Sequence, residues 1–319
     1  FSDAGGGRRL LLIGHLDTVF PAGTAAQRPF TIRDGRAYGP GVTDMKSGLL
    51  SGLYALRAIR QLSDWPFQRL VFVANPDEEI GSPVSGPIIR REAADSDMAL
   101  VLECARANGD IVSSRNGVAS LRLRLKGRAA HAGIEPEKGR SALLEAAHKT
   151  VALHELNGRW PGVTVNVGVM RAGTRPNVVA ESAELEVDLR GRTRPAMEEA
   201  EAAVRQICAT TSVPDISSEL EELGRHWPME KSDGTSQLVA QAVDLARRLG
   251  FEVADTATGG ASDANTTAAM GLPTLDGLGP VGGLDHSPDE YLELDSIVPR
   301  TTLLAALVLS VARHRDETA

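Results

Sequence analysis

Cysteine is almost absent from this chain, and that scarcity narrows the class of protein. Only Cys104 and Cys208 occur among 319 residues, too few for a disulfide framework and without the spacing of a cysteine zinc site. We therefore expect two buried thiols in a reducing compartment, the cytoplasm. Because the chain begins with Phe1 rather than Met, we expect that a preceding segment is missing, which leaves a periplasmic or secreted location open.

Long apolar runs and basic tracts are also missing. No apolar stretch reaches the roughly 20 residues that span a bilayer, and no basic tract offsets the net charge of −8. The sequence thus argues against membrane and nucleic-acid partners. A hydrophobic content of 42% is ordinary for a globular protein, and the length suffices for one large domain or two.

The two ends of the chain alternate continuously apolar strands with helices. This pattern is typical of a parallel-rich sheet covered on both faces, with ligand sites beyond the carboxyl ends of its strands. A hairpin turn is predicted within 31–36. The other predicted elements are strands at 10–13, 69–74, 98–102 and 273–278 and helices over 46–61, 236–249 and 297–314.

The middle of the chain has a different pattern. Residues 121–126 and 184–189 alternate strictly between apolar and charged side chains. Such strands have one solvated face, which predicts an antiparallel sheet. Helices over 141–154 and 196–210 and a strand at 164–170 complete a compact α+β pattern.

These patterns divide the chain into a split domain and an insert. We predict an α/β domain with a mixed, mostly parallel sheet, formed by residues 1–108 and 218–319. It is interrupted at 109–217 by a smaller α+β domain with an antiparallel sheet, an ordinary size for a domain. We expect a polar connecting segment near 217–224, through which the chain returns to the α/β domain.

Residues with metal-binding chemistry follow the predicted strands. In Gly-His-Leu-Asp, His15 could bind a metal through one ring nitrogen and donate its other N–H to Asp17. Asp44 follows a Gly-Pro-Gly turn. Two histidines and three carboxylates, one of them bridging, can hold two zinc ions and leave room for a bridging water. The candidate ligands are His15, Asp44, Glu79, Glu103 and His286.

Each carboxylate also has a purely structural interpretation. Asp44 could cap the following helix, Glu78 and Glu79 could form a solvated acidic loop, and Glu103 could make a salt bridge at a strand end. Their common position after strands favours the metal centre. The ligand types also fit a zinc phosphatase, but no arginine cluster or phosphate-binding glycine loop accompanies them.

Four motifs occur in order along nearly the whole chain. They are GHLDTVFP at 14–21, GPGVTDMKSG at 39–48, PDEEIGS at 76–82 and GGASDAN at 259–265. Together they resemble the dinuclear zinc peptidase and deacylase family of acetylornithine deacetylase, succinyl-diaminopimelate desuccinylase and glutamate carboxypeptidase, and are nearest to the last group. The resemblance implies a zinc-peptidase catalytic domain and a lid domain with a four-stranded antiparallel sheet that forms a homodimer.

The resemblance also implies how the ligands are shared. His15 and Glu103 would bind one zinc ion, Glu79 and His286 the other, and Asp44 would bridge them. Cobalt or manganese could substitute for zinc.

Two further residues would act beside the metals. Asp17 would orient His15, and Glu78 would be the general base. The family also has a cis peptide bond after the residue that matches Asp44.

The remaining implied roles concern the substrate. His131 matches an oxyanion-binding histidine, Asn177 an asparagine that contacts substrate, and Arg190 an arginine that binds the substrate carboxylate. Arg225 resembles a second substrate-binding arginine, with an ion pair to a preceding glutamate as the alternative. Ala261 replaces a glycine of the family, so the pocket floor is expected to differ.

The sequence therefore predicts a zinc-dependent carboxypeptidase that cleaves an amide next to a C-terminal amino acid with a free carboxylate, with glutamate preferred. N-acyl-amino-acid deacylation and dipeptide cleavage are the alternatives within this class, so the expected partners are N-acyl amino acids or short peptides and a second copy of the chain. An inactive metal-binding protein is the alternative from another class, and the presence of Glu78 argues against it.

Overall fold

The structure is a computed structural model that describes residues 7–62 and 66–313. The chain forms two compact units. The first, called unit 1 below, combines the residues up to Arg115 with those from Met229 onwards, and unit 2 is Asn116–Pro228. The bounds of unit 2 differ from the predicted insert, 109–217, at both ends. At the first boundary, residues 111–115 form a strand that pairs within unit 1. At the second, residues 217–226 form a strand that pairs within unit 2.

The helices and strands follow one another in three blocks. Unit 1 begins with β1 (Arg9–His15), α1 (Thr24–Gln27), β2 (Thr31–Arg33), β3 (Arg36–Tyr38), α2 (Ser47–Leu62), β4 (Arg69–Asn75), α3 (Ser85–Ala94), β5 (Met98–Val101) and β6 (Ile111–Arg115). Unit 2 contains β7 (Gly117–Lys126), α4 (Ala142–His154), β8 (Thr164–Ala172), β9 (Ser182–Gly191), α5 (Arg194–Ala209) and β10 (Ser217–His226). Unit 1 then ends with α6 (Asp233–Arg248), β11 (Asp255–Thr258), α7 (Asp263–Ala268), β12 (Thr274–Leu275), β13 (Gly282–Gly283), β14 (Tyr291–Glu293) and α8 (Leu294–Arg313).

The central sheet of unit 1 confirms the predicted α/β fold. Its strands are parallel and ordered β12-β5-β1-β4. Leu10 and Leu12 of β1 pack in the core formed with α2, α6 and α8, whereas Leu11 and Ile13 pack in the core formed with α3 and α7. Successive side chains of a strand point to opposite faces, so helices on both faces account for the continuously apolar sequence.

Two smaller sheets complete unit 1. β11 and β6 pair in parallel, and β13, β14, β3 and β2 form an antiparallel sheet. Arg115 and Met229 exchange two backbone hydrogen bonds, each 3.0 Å long, where the chain leaves and re-enters unit 1. The strand predicted at 273–278 ends at Leu275, because Asp276 exchanges backbone hydrogen bonds with Val112 of β6 and the chain turns there.

Helix α8 has the composition of a membrane span over Leu294–Ala312 and is the only such helix within the described ranges. One face of this helix packs in the core of unit 1. Leu304, Leu307, Val308 and Val311 are buried there with residues of α2 and α6. An apolar helix of this length is also typical of the interior of a large globular unit.

Unit 2 contains the predicted four-stranded antiparallel sheet, in the order β10-β7-β9-β8. Alternate residues of β7 and β9, such as Leu123 and Leu185, are buried under α4 and α5. The polar crossing predicted near 217–224 is wrong, since this segment is strand β10. Its pairing with β7 is antiparallel and runs from Ser217 opposite Lys126 to His226 opposite Val118.

Candidate metal centre

The candidate ligands of unit 1 lie where the central strands end. His15 is the last residue of β1 and is 1% exposed. A single helical turn, Glu78–Ile80, follows β4, and Glu103 follows β5. Because β5, β1 and β4 are adjacent and parallel, their carboxyl ends meet at one edge of the sheet.

Asp44 lies between two histidines. Its Oδ1 is 3.0 Å from His15 Nε2, and its Oδ2 is 3.1 Å from His286 Nε2. The peptide bond between Asp44 and Met45 is cis, as the resemblance implied. The two carboxylate oxygens thus face different histidines, which is the arrangement expected of a bridging ligand.

The other carboxylates approach the same histidines. Glu103 Oε1 is 3.7 Å and Glu78 Oε2 is 3.9 Å from His15 Nε2, while Glu79 Oε2 is 3.3 Å from His286 Nε2. One donor atom from each of His15, Glu78 and Glu103 lies within 4.8 Å of the others. The same holds for His15, Asp44 and Glu79. The five predicted ligands and Glu78 therefore form one cluster.

Asp17 contacts both His15 and the backbone of Glu78 and Glu79. Its Oδ1 is 3.4 Å from His15 Nδ1, and its carbonyl oxygen is 3.2 Å from the same nitrogen. The carboxylate also accepts hydrogen bonds from the backbone N–H groups of Glu78 and Glu79. Two oxygen acceptors at Nδ1 place a proton there, so the Nε2 of a neutral His15 is available to a metal.

The charges in the cluster require a counter-charge. Burial raises the pKa of Glu78 to about 8 and also raises the pKa values of Glu79 and Glu103. Burial lowers the pKa of His15, but hydrogen bonding to Asp44 and the neighbouring carboxylates outweigh it and raise the pKa to about 10. In the described ranges no lysine or arginine forms an ion pair with these carboxylates.

A divalent cation fits these residues. Among the residues that the structure describes, the ion-pair partners of His15 Nε2 are carboxylate oxygens, so this nitrogen needs either an added proton or a metal ion. Imidazole nitrogen and carboxylate oxygen are the donor types that zinc accepts. A bound cation would also replace the missing positive charge among the buried carboxylates.

A second layer of polar residues was not predicted from the sequence. Ser82 Oγ and Asn75 Nδ2 donate to the two oxygens of buried Asp263 at 2.6 and 2.8 Å. Asp77 accepts from the backbone N–H groups of Val84 and Ser85 at the start of α3. These bonds hold the loop that carries Glu78 and Glu79. The signal available in the sequence was that these residues lie inside or beside the four motifs.

Ala261 lies in the segment before α7 and is half-buried. The preceding carbonyl, of Gly260, accepts a hydrogen bond from Arg115 at 3.1 Å. The following Ser262 caps α7 and donates to Asp276 at 2.8 Å. The structure thus places Ala261 in a well-anchored loop of unit 1 and shows no polar contact that would define its role.

In unit 2, the structure brings His131 and Asn177 together. His131 forms an isolated β-bridge with Val178, and Ala132 N donates to the carbonyl oxygen of Asn177. His131 is exposed, and its Nδ1 accepts a hydrogen bond from the backbone N–H of Gly133 at 3.1 Å. In a neutral imidazole the proton is then at Nε2, which can act as a donor.

The two arginines predicted to bind substrate, Arg190 and Arg225, have different surroundings. Arg190 lies on the open face of the sheet, and its Nε is 2.8 Å from Asp188 Oδ1. Arg225 faces α5 and forms ion pairs of 2.6 Å with both Glu201 and Glu222. Hydrogen bonds to these glutamates raise the pKa of Arg225. The structure therefore favours the ion-pair interpretation of Arg225 over substrate recognition.

Comparison with known proteins agrees with this geometry. The sequence matches peptidase family M20/M25/M40 over residues 11–310. Carboxypeptidase G2 of a Pseudomonas species is 28% identical over 309 residues, which cover 96% of this chain and 74% of that protein. A succinyl-diaminopimelate desuccinylase of Stenotrophomonas maltophilia is 30% identical over 94% of this chain and 83% of its own length.

Solved structures share the fold. Aminopeptidase PepT of Bacillus cereus has a TM-score of 0.79 at 24% identity, covering 97% of this chain and 82% of that one. A metallo-carboxypeptidase of Sulfolobus solfataricus has a TM-score of 0.73 at 16% identity, covering 96% and 85%. The family predicted from the motifs is confirmed: the chain belongs to peptidase family M20/M25/M40, metal-dependent hydrolases that act on amide and peptide bonds.

Proposed function

We propose that this chain is a zinc-dependent carboxypeptidase that releases a C-terminal amino acid from an N-acyl amino acid or a short peptide. The observation that carries the proposal is the pair of histidines on opposite oxygens of Asp44, next to the carboxylate of Glu78. His15 and Glu103 would hold one ion, Glu79 and His286 the other, with Asp44 between them. Cobalt or manganese is expected to substitute for zinc.

Glu78 is suited to move the proton in this reaction. Its Oε2 lies 3.9 Å from His15 Nε2, within the cluster of candidate ligands, and burial raises its pKa, which favours proton uptake by the carboxylate. Its carboxylate can take a proton from the attacking water and return it to the nitrogen of the leaving amine. When bound, zinc would acidify that water and polarise the scissile carbonyl.

Unit 2 supplies residues suited to the substrate. Because Gly133 N–H donates to Nδ1 of His131, the Nε2–H of this ring is available for the oxygen of the scissile carbonyl. The guanidinium of Arg190 has the geometry for bidentate binding of a carboxylate, which in this structure is that of Asp188. Asn177 lies beside the His131 segment. We propose these three residues for substrate binding, with a required α-carboxylate. A glutamate preference is the finer part of this proposal.

We also propose a homodimer formed through unit 2. Strand β8 is an edge of the sheet, and α4 beside it exposes Leu143, Leu144 and Val151. An open strand edge next to apolar side chains is a suitable surface for a second copy. Free, buried Cys104 and Cys208 support a cytoplasmic location.

Deacylation of acetylated or succinylated diamino acids, of the acetylornithine or succinyl-diaminopimelate type, and dipeptide cleavage are the alternatives within the same chemistry. The 30% identity to a succinyl-diaminopimelate desuccinylase supports the first. A hydrolysis screen with zinc or cobalt added separates them. Its first group of substrates is N-acyl and N-aroyl glutamate, its second is succinylated and acetylated diamino acids, and its third is unblocked dipeptides. Cleavage of the first group supports the proposal, and cleavage of the second or third group alone contradicts it.

A further inference from the structure

A buried carboxylate without a cationic partner lies beside the candidate metal centre. Glu290 is 1% exposed, and in the described part of the chain no lysine, arginine or histidine forms an ion pair with it. Its Oε2 accepts from Gly41 N at 2.8 Å. Its Oε1 accepts from Thr43 N at 2.9 Å and from Asp44 N at 3.0 Å. Three backbone N–H groups thus stabilise the carboxylate of Glu290 in place of a cationic side chain.

These donors belong to the turn that presents Asp44. Gly41 has a φ of +76°, a conformation that glycine adopts without strain, so the turn has an unusual shape. Thr43 Oγ1 donates to the carbonyl oxygen of Tyr291 at 2.8 Å. The carboxylate of Glu290 therefore holds the main chain of this turn, and the carbonyl oxygen of Tyr291 holds the side chain of Thr43.

The loop that carries Glu290 also carries His286. His286 has a φ of +62°, uncommon for a residue other than glycine, and its Nε2 lies 3.1 Å from Asp44 Oδ2. Arg28 donates to the carbonyl oxygen of Pro288 at 2.6 Å and anchors the loop between these two residues. One short loop thus contacts the carboxylate of Asp44 through His286 and the backbone of Asp44 through Glu290.

We propose that Glu290 is a positioning residue of the metal centre. By holding the backbone N–H of Asp44, it sets where that carboxylate stands relative to His286, and so sets the affinity for the metal. This inference rests on the metal centre of the proposed function. It assigns to Glu290 no contact with metal or substrate.

Glu290→Gln is the informative variant because glutamine has nearly the same shape. The amide keeps one acceptor oxygen, but its NH2 group would face a backbone N–H that now lacks an acceptor. Residues that orient metal ligands typically contribute 10–100-fold to metal affinity. We therefore expect cobalt(II) to bind to metal-free Glu290→Gln about 10–100-fold more weakly than to wild type, with an altered visible absorption spectrum.

Glu293→Gln is the matched control. Glu293 lies three positions further along the chain and pairs with Arg36 at 2.7 Å on a partly exposed surface. The same chemical change there should leave cobalt affinity and the cobalt spectrum as in wild type. Hydrogen exchange of the metal-free proteins is a second readout: the amides of Thr43 and Asp44 should lose protection in Glu290→Gln and keep it in Glu293→Gln.

Cobalt affinity and spectrum equal to wild type in a folded Glu290→Gln would overturn the proposal, even if the melting temperature fell, because that result describes a purely structural residue. Cobalt binding is measured without substrate. Wild-type protein that binds cobalt but cleaves none of the screened amides would therefore contradict the proposed function, while the comparison of the two variants would still decide the role of Glu290.

Discussion

His286 lies 242 positions from Asp44 in the sequence, yet its Nε2 is 3.1 Å from the Oδ2 of that carboxylate. The other oxygen of Asp44 faces His15 at 3.0 Å. This shared carboxylate connects the two sequence segments of unit 1, because the proposed ligands come from both sides of the insert. The predictions below begin with this relationship.

Asp44→Asn and His286→Ala should differ in how much metal they lose. Asparagine removes the charge that faces both histidines, so we expect this variant to lose both ions. His286 is proposed to bind one ion only, so His286→Ala should retain about one ion per chain. Metal analysis after dialysis against zinc measures both. Asp289→Asn, in the same loop but outside the cluster, is the control, and equal zinc content in all three variants would contradict the bridging assignment.

Glu78→Gln should keep the metal and lose turnover. The side chain is proposed to carry a proton rather than to bind an ion, and general acid–base groups contribute about 10²–10⁴-fold to rate. We expect kcat to fall within that range at unchanged zinc content. In contrast, Glu79→Gln should lose zinc. If Glu78→Gln lost zinc and Glu79→Gln kept it, the two roles would have to be exchanged.

Arg190→Ala and Arg225→Ala should separate substrate recognition from stability. Arg190 is proposed to bind the α-carboxylate, so its loss should raise KM for N-acyl-glutamate, N-acyl-glutamine and N-acyl-leucine alike. Arg225 is paired with Glu201 and Glu222, so its loss should lower the melting temperature and leave the ratio of kcat/KM among these substrates unchanged. A lost glutamate preference in Arg225→Ala would support the substrate-binding role and contradict a purely structural one.

His131 is proposed to act across the homodimer. Neither His131→Ala nor Glu78→Ala should be active alone, because each lacks one essential group. When the two proteins are mixed and allowed to exchange subunits, some active sites would have both groups, and part of the activity should return. Confirmed mixed dimers without activity would place His131 in the same chain as the Glu78 it serves.

Glu145 predicts a pH dependence of stability in unit 2. This carboxylate is fully buried, accepts from the backbone N–H groups of Ser212 and Val213 and pairs with Lys149. Despite burial, these bonds lower its pKa. Its contribution should therefore be complete above the ordinary glutamate pKa, about 4.3, and be lost as the pH falls through the lower value of the folded state.

Glu145→Gln should cost about 1–3 kcal/mol at pH 7, the usual effect of leaving buried donors without their acceptor. The difference from wild type should shrink as the pH falls towards the folded-state pKa. Urea unfolding at pH 7 and at lower pH measures it. Glu198→Gln, which breaks an exposed pair with Arg194, should have little effect at either pH. A pH-independent difference for Glu145→Gln would contradict the assignment.

The sequence predicted the parts of the centre that follow from local pattern. His15 and Glu103 follow apolar runs, and the rule that parallel strands end at one edge was enough to bring them together. Strand β10 was missed because it is an edge strand with little alternation, and its cross-strand ion pair from Glu221 to Arg124 is visible only in three dimensions. For Arg225 the sequence left substrate recognition and an ion pair both open, because one of its two ion-pair partners, Glu201, lies on helix α5 and is not adjacent in sequence.

Glu290 shows a second limit of sequence reasoning. An acidic residue in a polar loop is usually solvated, and its sequence neighbours do not reveal that three backbone N–H groups from residues 41–44 surround it. Burial of this kind depends on how two segments that are distant in sequence pack together, and the local pattern of apolar and polar residues does not predict such packing.

The two hydrogen bonds between the backbones of Arg115 and Met229 bear on how unit 2 can be inserted into, or deleted from, this chain. Because the bridge is antiparallel, the two ends of the 113-residue excursion Asn116–Pro228 start side by side, as the two arms of a hairpin do. A tight turn could join Arg115 to Met229 without moving either residue. A deletion of this kind would keep all five proposed metal ligands on the remaining chain, because each of them lies in unit 1.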